Sequence, residues 1–333
     1  MVQFGQARFF GLDDTPEAGI KSYRAQVADG IRRDGPLGRL SYLARANYAY
    51  NYIWWLRTRS NDPAYVERAG RIERTLRHPI ASRATSERAA HFRETDFHFE
   101  SAMLAPDLVG RFTEDLLTQP AYHDPYVSGF RHVGPPNASR HPFLYMDSQA
   151  LFENEHFLEI CASETLIAFC REALGPSAAL SWAWSWITHP TTVPYQNQNW
   201  HRDCAEPLNF IRVFVPLHPI ATRDDGPTEL IPGTSGLRQW YDVRRFQDAE
   251  LSTIKEEKGA GVVLAEVGDV YFLNTFALHR GTPPQRPRAI LSLLVSLGPS
   301  HRTPSIRKID LKKQPERVRR AIAAHRGFFR HII

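Results

Sequence analysis

His201 and Asp203 stand two residues apart in the run Asn199-Trp200-His201-Arg202-Asp203. On an extended strand, positions i and i+2 point to the same side. One strand can therefore present an imidazole and a carboxylate to a single ion, while Arg202 points the other way. A third ligand would complete a 2-His-1-carboxylate face, which suits non-haem Fe(II) with positions left open for substrate and oxygen. The candidate is His279, which follows the turn at Gly268-Asp269 and the short strand Val270 to Asn274. The chain has 14 histidines, so an isolated His-x-Asp carries little weight. The order of features around it carries more.

Nine residues after His279, Arg288 opens an apolar strand that runs to Leu297. A guanidinium there can hold a carboxylate in a fork of two charge-assisted hydrogen bonds. Ser292, four residues on, lies on the same side of the strand and can add a further bond. Arg286 is two residues earlier and shares that parity. Pro287 between them favours a ladder that begins at Arg288.

The elements that must position these residues change character along the chain. Residues 1–135 read as mostly helical. Thr15-Pro16-Glu17 opens a helix that Gly35-Pro36 stops, Leu40 to Arg57 is a second, and Asn61-Asp62-Pro63 opens a third. Gly134-Pro135-Pro136-Asn137 is a breaker cluster and the expected boundary to a core of residues 136–333. Ser163 opens a helix with Leu166, Ile167, Cys170 and Leu174, closed by Gly175-Pro176. Then Leu180, Trp182, Trp184 and Trp186 alternate with Ser181, Ala183 and Ser185, a strand with one aromatic side. The tryptophans are read as core filling, with a pocket wall as the alternative.

Leu208 to Leu217 and Gly261 to Ala265 are further strands. Asp224-Asp225-Gly226-Pro227 and Ile231-Pro232-Gly233-Thr234-Ser235 are turns, and Gln239 to Lys258 is a charged, partly helical insertion. Many short strands with Gly/Pro turns and no alternating helices indicate a sandwich or barrel. Gln314-Pro315-Glu316 opens a last basic helix with Val318, Ile322, His325 and Phe329 on one stripe. Its basic face reads as solvated.

Composition excludes several classes. The chain has 333 residues, 42% hydrophobic, and a formal charge of +5, ample for a core and only mildly biased toward anionic partners. Cys161, Cys170 and Cys204 show no pairing pattern, which fits a reducing compartment. The N-terminus has no signal pattern, and the aromatic run from Tyr48 to Leu56 is too short and polar to span a bilayer. A cytoplasmic protein is expected, without membrane partner. A nucleic-acid partner is not expected either, and oligomeric state is open.

Taken together, Asn199 to Asp203, Asp225-Gly226-Pro227 through Ser235, Gly268-Asp269, and His279 through Arg288 to Ser292 resemble the phytanoyl-CoA dioxygenase family, a branch of the Fe(II)/2-oxoglutarate-dependent oxygenases. The resemblance covers roughly residues 145–300. It implies a mainly β core, a double-stranded β-helix (jelly-roll, cupin-like) with flanking helices and a helical N-terminal region. It implies iron on His201, Asp203 and His279, and 2-oxoglutarate on Arg288 and Ser292. It implies that O2 and 2-oxoglutarate are consumed, with succinate and CO2 formed as a C–H is oxidised. Related halogenases carry a small residue where this chain has Asp203, so hydroxylation is implied rather than halogenation. Where the family often has a hydroxyl residue shortly after its distal histidine, this chain has Arg280-Gly281-Thr282.

The expected substrate is a small organic molecule. By position, Trp184, Tyr195, Gln198 and Asn274 are candidate lining residues. An oxygenase of protein or nucleic acid is the rival among enzymes; its supports are the net charge and the basic last helix. A non-catalytic β-helix protein that binds a metal or ligand is the rival from another class. It has no use for a complete triad. A zinc hydrolase or a cofactor-free metal oxygenase gives Arg288 no role.

Overall fold

The computed structural model describes residues 63–77, 86–119, 121–123, 141–194, 196–203, 209–237, 245–298 and 307–333. The expected helices at 15–34 and 40–57, the breaker cluster at 134–137 and the boundary at 135/136 lie outside these residues, as do Tyr195 and Cys204.

The first half supplies α1 (Pro63–Arg77), α2 (Glu87–Thr95), β1 (Phe97–Glu100), α3 (Pro106–Thr118), β2 (Ala121–His123), β3 (Phe143–Met146), α4 (Ser148–Glu153), α5 (Glu155–Cys161) and α6 (Glu164–Leu174). The second supplies β4 (Ala179–Thr188), β5 (Phe210–Pro216), β6 (Thr228–Leu230), α7 (Ser252–Lys258), β7 (Gly261–Val263), β8 (Val270–Leu273), β9 (His279–Gly281), β10 (Arg288–Ser296) and α8 (Glu316–Ala324). A large sheet has the order β1-β8-β5-β10-β4-β3-β2, and a small one β7-β6-β9. Every pairing is antiparallel.

β10 sits at the centre of the large sheet because all nine of its residues are buried. A strand covered on both faces reads as a continuous apolar run, as Ile290 to Val295 nearly does. Register sorts its side chains. Arg288, Ile290 and Ser292 lie opposite Thr188, Trp186 and Trp184 of β4, and Ile290 and Ser292 lie opposite Pro216 and Phe214 of β5. This inner face packs Phe143, Tyr145, Trp186, Phe214, Tyr271 and Ile290 against Leu230 and Val263 of the small sheet. The two sheets therefore meet face to face. The alternate residues, among them Val213, Val215, Leu291 and Leu293, join the larger cluster under the helices. Truncating one such leucine to alanine costs about 2–5 kcal/mol.

The helix signals are physical. The Ser163 hydroxyl accepts from the Leu166 N–H, and Gly175 ends α6 at φ 111°. Asn154 and Asp147 cap α5 and α4 in the same way. α8 buries Val318 and Ile322 and stops at His325; Phe329 beyond it is fully buried.

Two details depart from the sequence reading. The large sheet takes both edge strands, β1 and β2, from the segment read as helical. These strands are four and three residues long, too short to show a period. The tryptophan strand is not uniformly two-sided: pairing skips Ser181 between Leu294 and Val295, which switches the face of Leu180. Trp182 packs against Phe152 of α4, and Trp186 against Tyr145 on the inner face. Among the described residues no helix is long and apolar enough to cross a membrane. Cys161 and Cys170 are free, buried thiols whose burial pushes their pKa values up.

Candidate metal centre and anion pocket

Two short backbone pairings build the centre. His201 and His279 exchange both backbone hydrogen bonds, at 3.0 and 3.1 Å. The Trp200-His201 segment thereby lies beside β9 and extends the small sheet. The Asp203 N–H then donates to the Thr275 carbonyl at 2.9 Å. The ligand segment is an extended stretch and not the longer strand its sequence suggested.

His201, Asp203 and His279 form the one such cluster among the described residues, their ligand atoms all within 4.8 Å of one another. His201 Nε2 is 3.7 Å from Asp203 Oδ1. Each imidazole is oriented by its own chain: Nδ1 meets the Asn199 carbonyl at 2.8 Å in His201 and the Ala277 carbonyl at 3.0 Å in His279. A carbonyl only accepts, so Nδ1 carries the proton and Nε2 keeps its lone pair. Burial, then the neighbouring His279 and Arg245, hold His201 well below the usual imidazole pKa; burial also lowers His279. Burial pushes the Asp203 carboxyl up, but Arg212 and the two imidazoles outweigh it and bring it down to about 2. Two neutral imidazoles and one carboxylate is the donor set a divalent iron ion takes, with positions left open.

Arg212 is the residue that sequence reading missed. Its Nε lies 3.6 Å from Asp203 Oδ2, and its guanidinium stacks 4.3 Å from the Trp184 ring centre. The available signal was a lone arginine inside the apolar run Phe210-Ile211-Arg212-Val213-Phe214. Trp184 thus reaches the centre through Arg212. Arg202 was read only as pointing away. It does, into a cage of carbonyls: Thr234 at 2.5 Å, Phe276 at 2.6 Å, Ser235 at 3.1 Å and Leu237 at 3.4 Å.

The second half of the site is Arg288, buried on the inner face beside Tyr271. The Tyr271 hydroxyl meets Thr228 Oγ1 at 2.8 Å. Arg288 Nε is buried and has no hydrogen-bond partner among the described residues. A side chain at Gly281 would place its Cβ 3.1 Å from Arg288 Nη1, so the glycine leaves room beside the guanidinium. A buried, incompletely satisfied guanidinium with space next to it fits a carboxylate ligand. Ser292 shares the face of Arg288 in the register. Arg286 instead faces solvent and pairs with Asp225 at 2.5 Å.

No protein-family model matches the chain, and no curated protein matches it. Solved structures do. HygX from Streptomyces hygroscopicus with nickel and 2-oxoglutarate bound is similar at 15% identity, over 65% of this chain and 88% of that one, with a TM-score of 0.46. EctD from S. alaskensis with 2-oxoglutarate and 5-hydroxyectoine is similar at 18% identity, over 64% and 76%, with a TM-score of 0.48. The non-heme alpha ketoglutarate dependent epimerase SnoN from nogalamycin biosynthesis is similar at 13% identity, over 71% and 84%, with a TM-score of 0.43.

The other candidate lining residues are placed less uniformly. Gln198 is buried and accepts from Thr191 Oγ1 at 3.1 Å. The Asn274 amide donates to Asp96 Oδ1 at 2.8 Å, which holds the turn before His279. Asp96 also accepts from the Ser235 N–H at 3.0 Å. The Asn274 amide group thus contributes to the scaffold of the site.

Proposed function

We propose that the chain is an Fe(II)/2-oxoglutarate-dependent dioxygenase that oxidises, by hydroxylation, an unactivated C–H of a small organic molecule. Its two sheets are read as a double-stranded β-helix, and its motif order as that of the phytanoyl-CoA dioxygenase family. One observation carries the proposal. Two neutral imidazoles and an ionised carboxylate converge within 4.8 Å, in the same sandwich as a buried arginine with an unsatisfied Nε.

Iron and 2-oxoglutarate, when bound with O2, supply oxidative decarboxylation to succinate and CO2 coupled to oxidation of a C–H. The chain's residues do the rest. His201 and His279 offer Nε2 lone pairs without first losing a proton. Asp203 offers the charge, and Arg212 keeps it ionised. Arg288 and Ser292 would hold the distal carboxylate of the co-substrate through charge-assisted bonds. The aromatic inner face excludes water from the reacting atoms. Asp203 would take the place that related halogenases leave to a halide, which supports hydroxylation over halogenation.

The test is an anaerobic titration with Fe(II) and then 2-oxoglutarate, followed by the weak visible charge-transfer band of the chelate. The band is expected in the wild type and absent in His201→Ala, Asp203→Ala and His279→Ala. These three variants should keep the wild-type circular dichroism and release no succinate. Iron binding without a band in the wild type would move the chain to the non-catalytic or cofactor-free class.

A further inference from the structure

Asp96 touches none of the three ligands, yet two hydrogen-bonded paths join its carboxylate to the segment that carries two of them. It caps the end of α2 in the left-handed region, at φ 63°, and is 2% exposed. Aspartate and asparagine are among the few residues that adopt this conformation. The first path crosses one peptide plane. Asp96 Oδ2 accepts from the Ser235 N–H at 3.0 Å, and the Thr234 carbonyl of that same peptide accepts from Arg202 Nη2 at 2.5 Å. The second crosses two amides. Asp96 Oδ1 accepts from the Asn274 side-chain amide at 2.8 Å, and Asn274 Oδ1 accepts from the Phe276 N–H at 3.2 Å. The Thr275 carbonyl, in the same peptide as that N–H, accepts from the Asp203 N–H at 2.9 Å.

Both paths run donor to acceptor in one sense, so each bond polarises the next. A negative charge at Asp96 strengthens the carbonyls that hold Arg202 and the Asp203 backbone. Both Asp96 oxygens accept from N–H groups, the role of an ionised carboxylate. Burial pushes the Asp96 carboxyl up, while the Ser235 and Asn274 donors and the Arg202 charge work against it. The turn that Asp96 grips also reaches the third ligand. The Asn274 N–H donates to the Asp96 carbonyl and the Ala277 N–H to the Asn274 carbonyl, both at 2.9 Å, and the Ala277 carbonyl meets His279 Nδ1 at 3.0 Å. We propose that Asp96 is a positioning residue for the metal centre: its carboxylate, acting through Ser235 and Asn274, sets the spacing of Asp203, Arg202 and His279. The inference rests on the metal-centre reading.

The test uses the full chain and measures Fe(II) affinity by anaerobic calorimetry, beside urea unfolding of the metal-free protein. Asp96→Asn keeps the shape and tolerates the left-handed backbone, but removes the charge and turns an NH2 group toward one of the two N–H donors. It should weaken Fe(II) binding about tenfold or more, as loss of a partner behind a ligand does. Asn274→Ala cuts one path and should lose less. The double variant should fall short of the product of the two single losses, because both act through one path. Asp269→Asn is the control: that buried carboxylate accepts from the Ala102 and Glu266 N–H groups, away from the centre. It should lower stability and leave Fe(II) affinity at the wild-type value. Wild-type affinity in Asp96→Asn or in Asn274→Ala overturns the inference. So does a double variant whose loss equals the product, or an Asp269→Asn loss as large as that of Asp96→Asn. A wild type that binds no Fe(II) would instead remove the metal-centre reading.

Discussion

Arg288 and Arg286 differ by one turn of strand alternation, yet they share parity, so their fates are set by where the ladder begins. β10 begins at Arg288, whose guanidinium is buried, while the Arg286 side chain is 74% exposed. The Arg286–Asp225 pair is exposed only on its arginine side; Asp225 is buried and also accepts from the Thr222 N–H. Arg288→Ala should raise the 2-oxoglutarate requirement far more than Arg286→Ala does, measured by succinate release against co-substrate concentration. Gly281→Val should fall between them, because its Cβ would lie 3.1 Å from Arg288 Nη1 and push the guanidinium aside. The reverse ranking of the two arginine variants would move the anchor to Arg286.

At the scale of elements, the loop 231–237 and the metal segment are one unit. Arg202 donates to four carbonyls of this loop and the 276 turn, and the Thr234 hydroxyl accepts from the Leu278 N–H at 2.9 Å. Gly233 fits here because its φ is +64° and a Cβ would meet the Glu94 carbonyl at 2.9 Å. Arg202→Met should cost about 3 kcal/mol in urea unfolding, since buried carbonyls lose their donors, and should weaken Fe(II) binding. Arg202→Lys should recover only part, because an ammonium cannot span the cage. The adjoining edge is tied by Asp248, which bonds Trp200 Nε1 at 3.0 Å, Arg280 Nη1 at 2.8 Å and Lys255. Burial pushes the Asp248 carboxyl up, but these donors bring it from 3.8 to about 2, where Asp203 also lies. A depressed folded pKa means that both contribute stability above the unfolded value and lose it as pH falls through the folded one. The metal-free protein should therefore lose stability from about pH 4 down to about pH 2. Asp248→Asn should flatten that slope in pH-dependent chemical denaturation.

For the whole molecule, the centre joins segments more than seventy residues apart in sequence, so metal binding and folding are linked. Fe(II) at a hundredfold excess over its Kd should add about 2.7 kcal/mol to stability and raise Tm by about 4 °C. A chelator should reverse the shift, and Asp203→Ala should show none. A shift of equal size in Asp203→Ala would place the bound ion elsewhere.

The sequence by itself was enough for the parts of this protein that are local. His201 and Asp203 were legible as a pair from residue type and a period of two, and His279 was a candidate from the order of features; the fold brings the three within 4.8 Å of one another. Capping fixed α6 through Ser163 and Gly175, and the buried run of β10 showed in its apolar continuity. Tertiary structure decided what depends on neighbours distant in the chain. The tilt of the imidazoles depends on carbonyls within reach, but Arg212 on Asp203 and Arg202 in its carbonyl cage come from pairings that no local period encodes. The short edge strands β1 and β2 follow the same rule: a strand of three or four residues is selected by the hydrogen-bonding edge it finds and not by its own sequence.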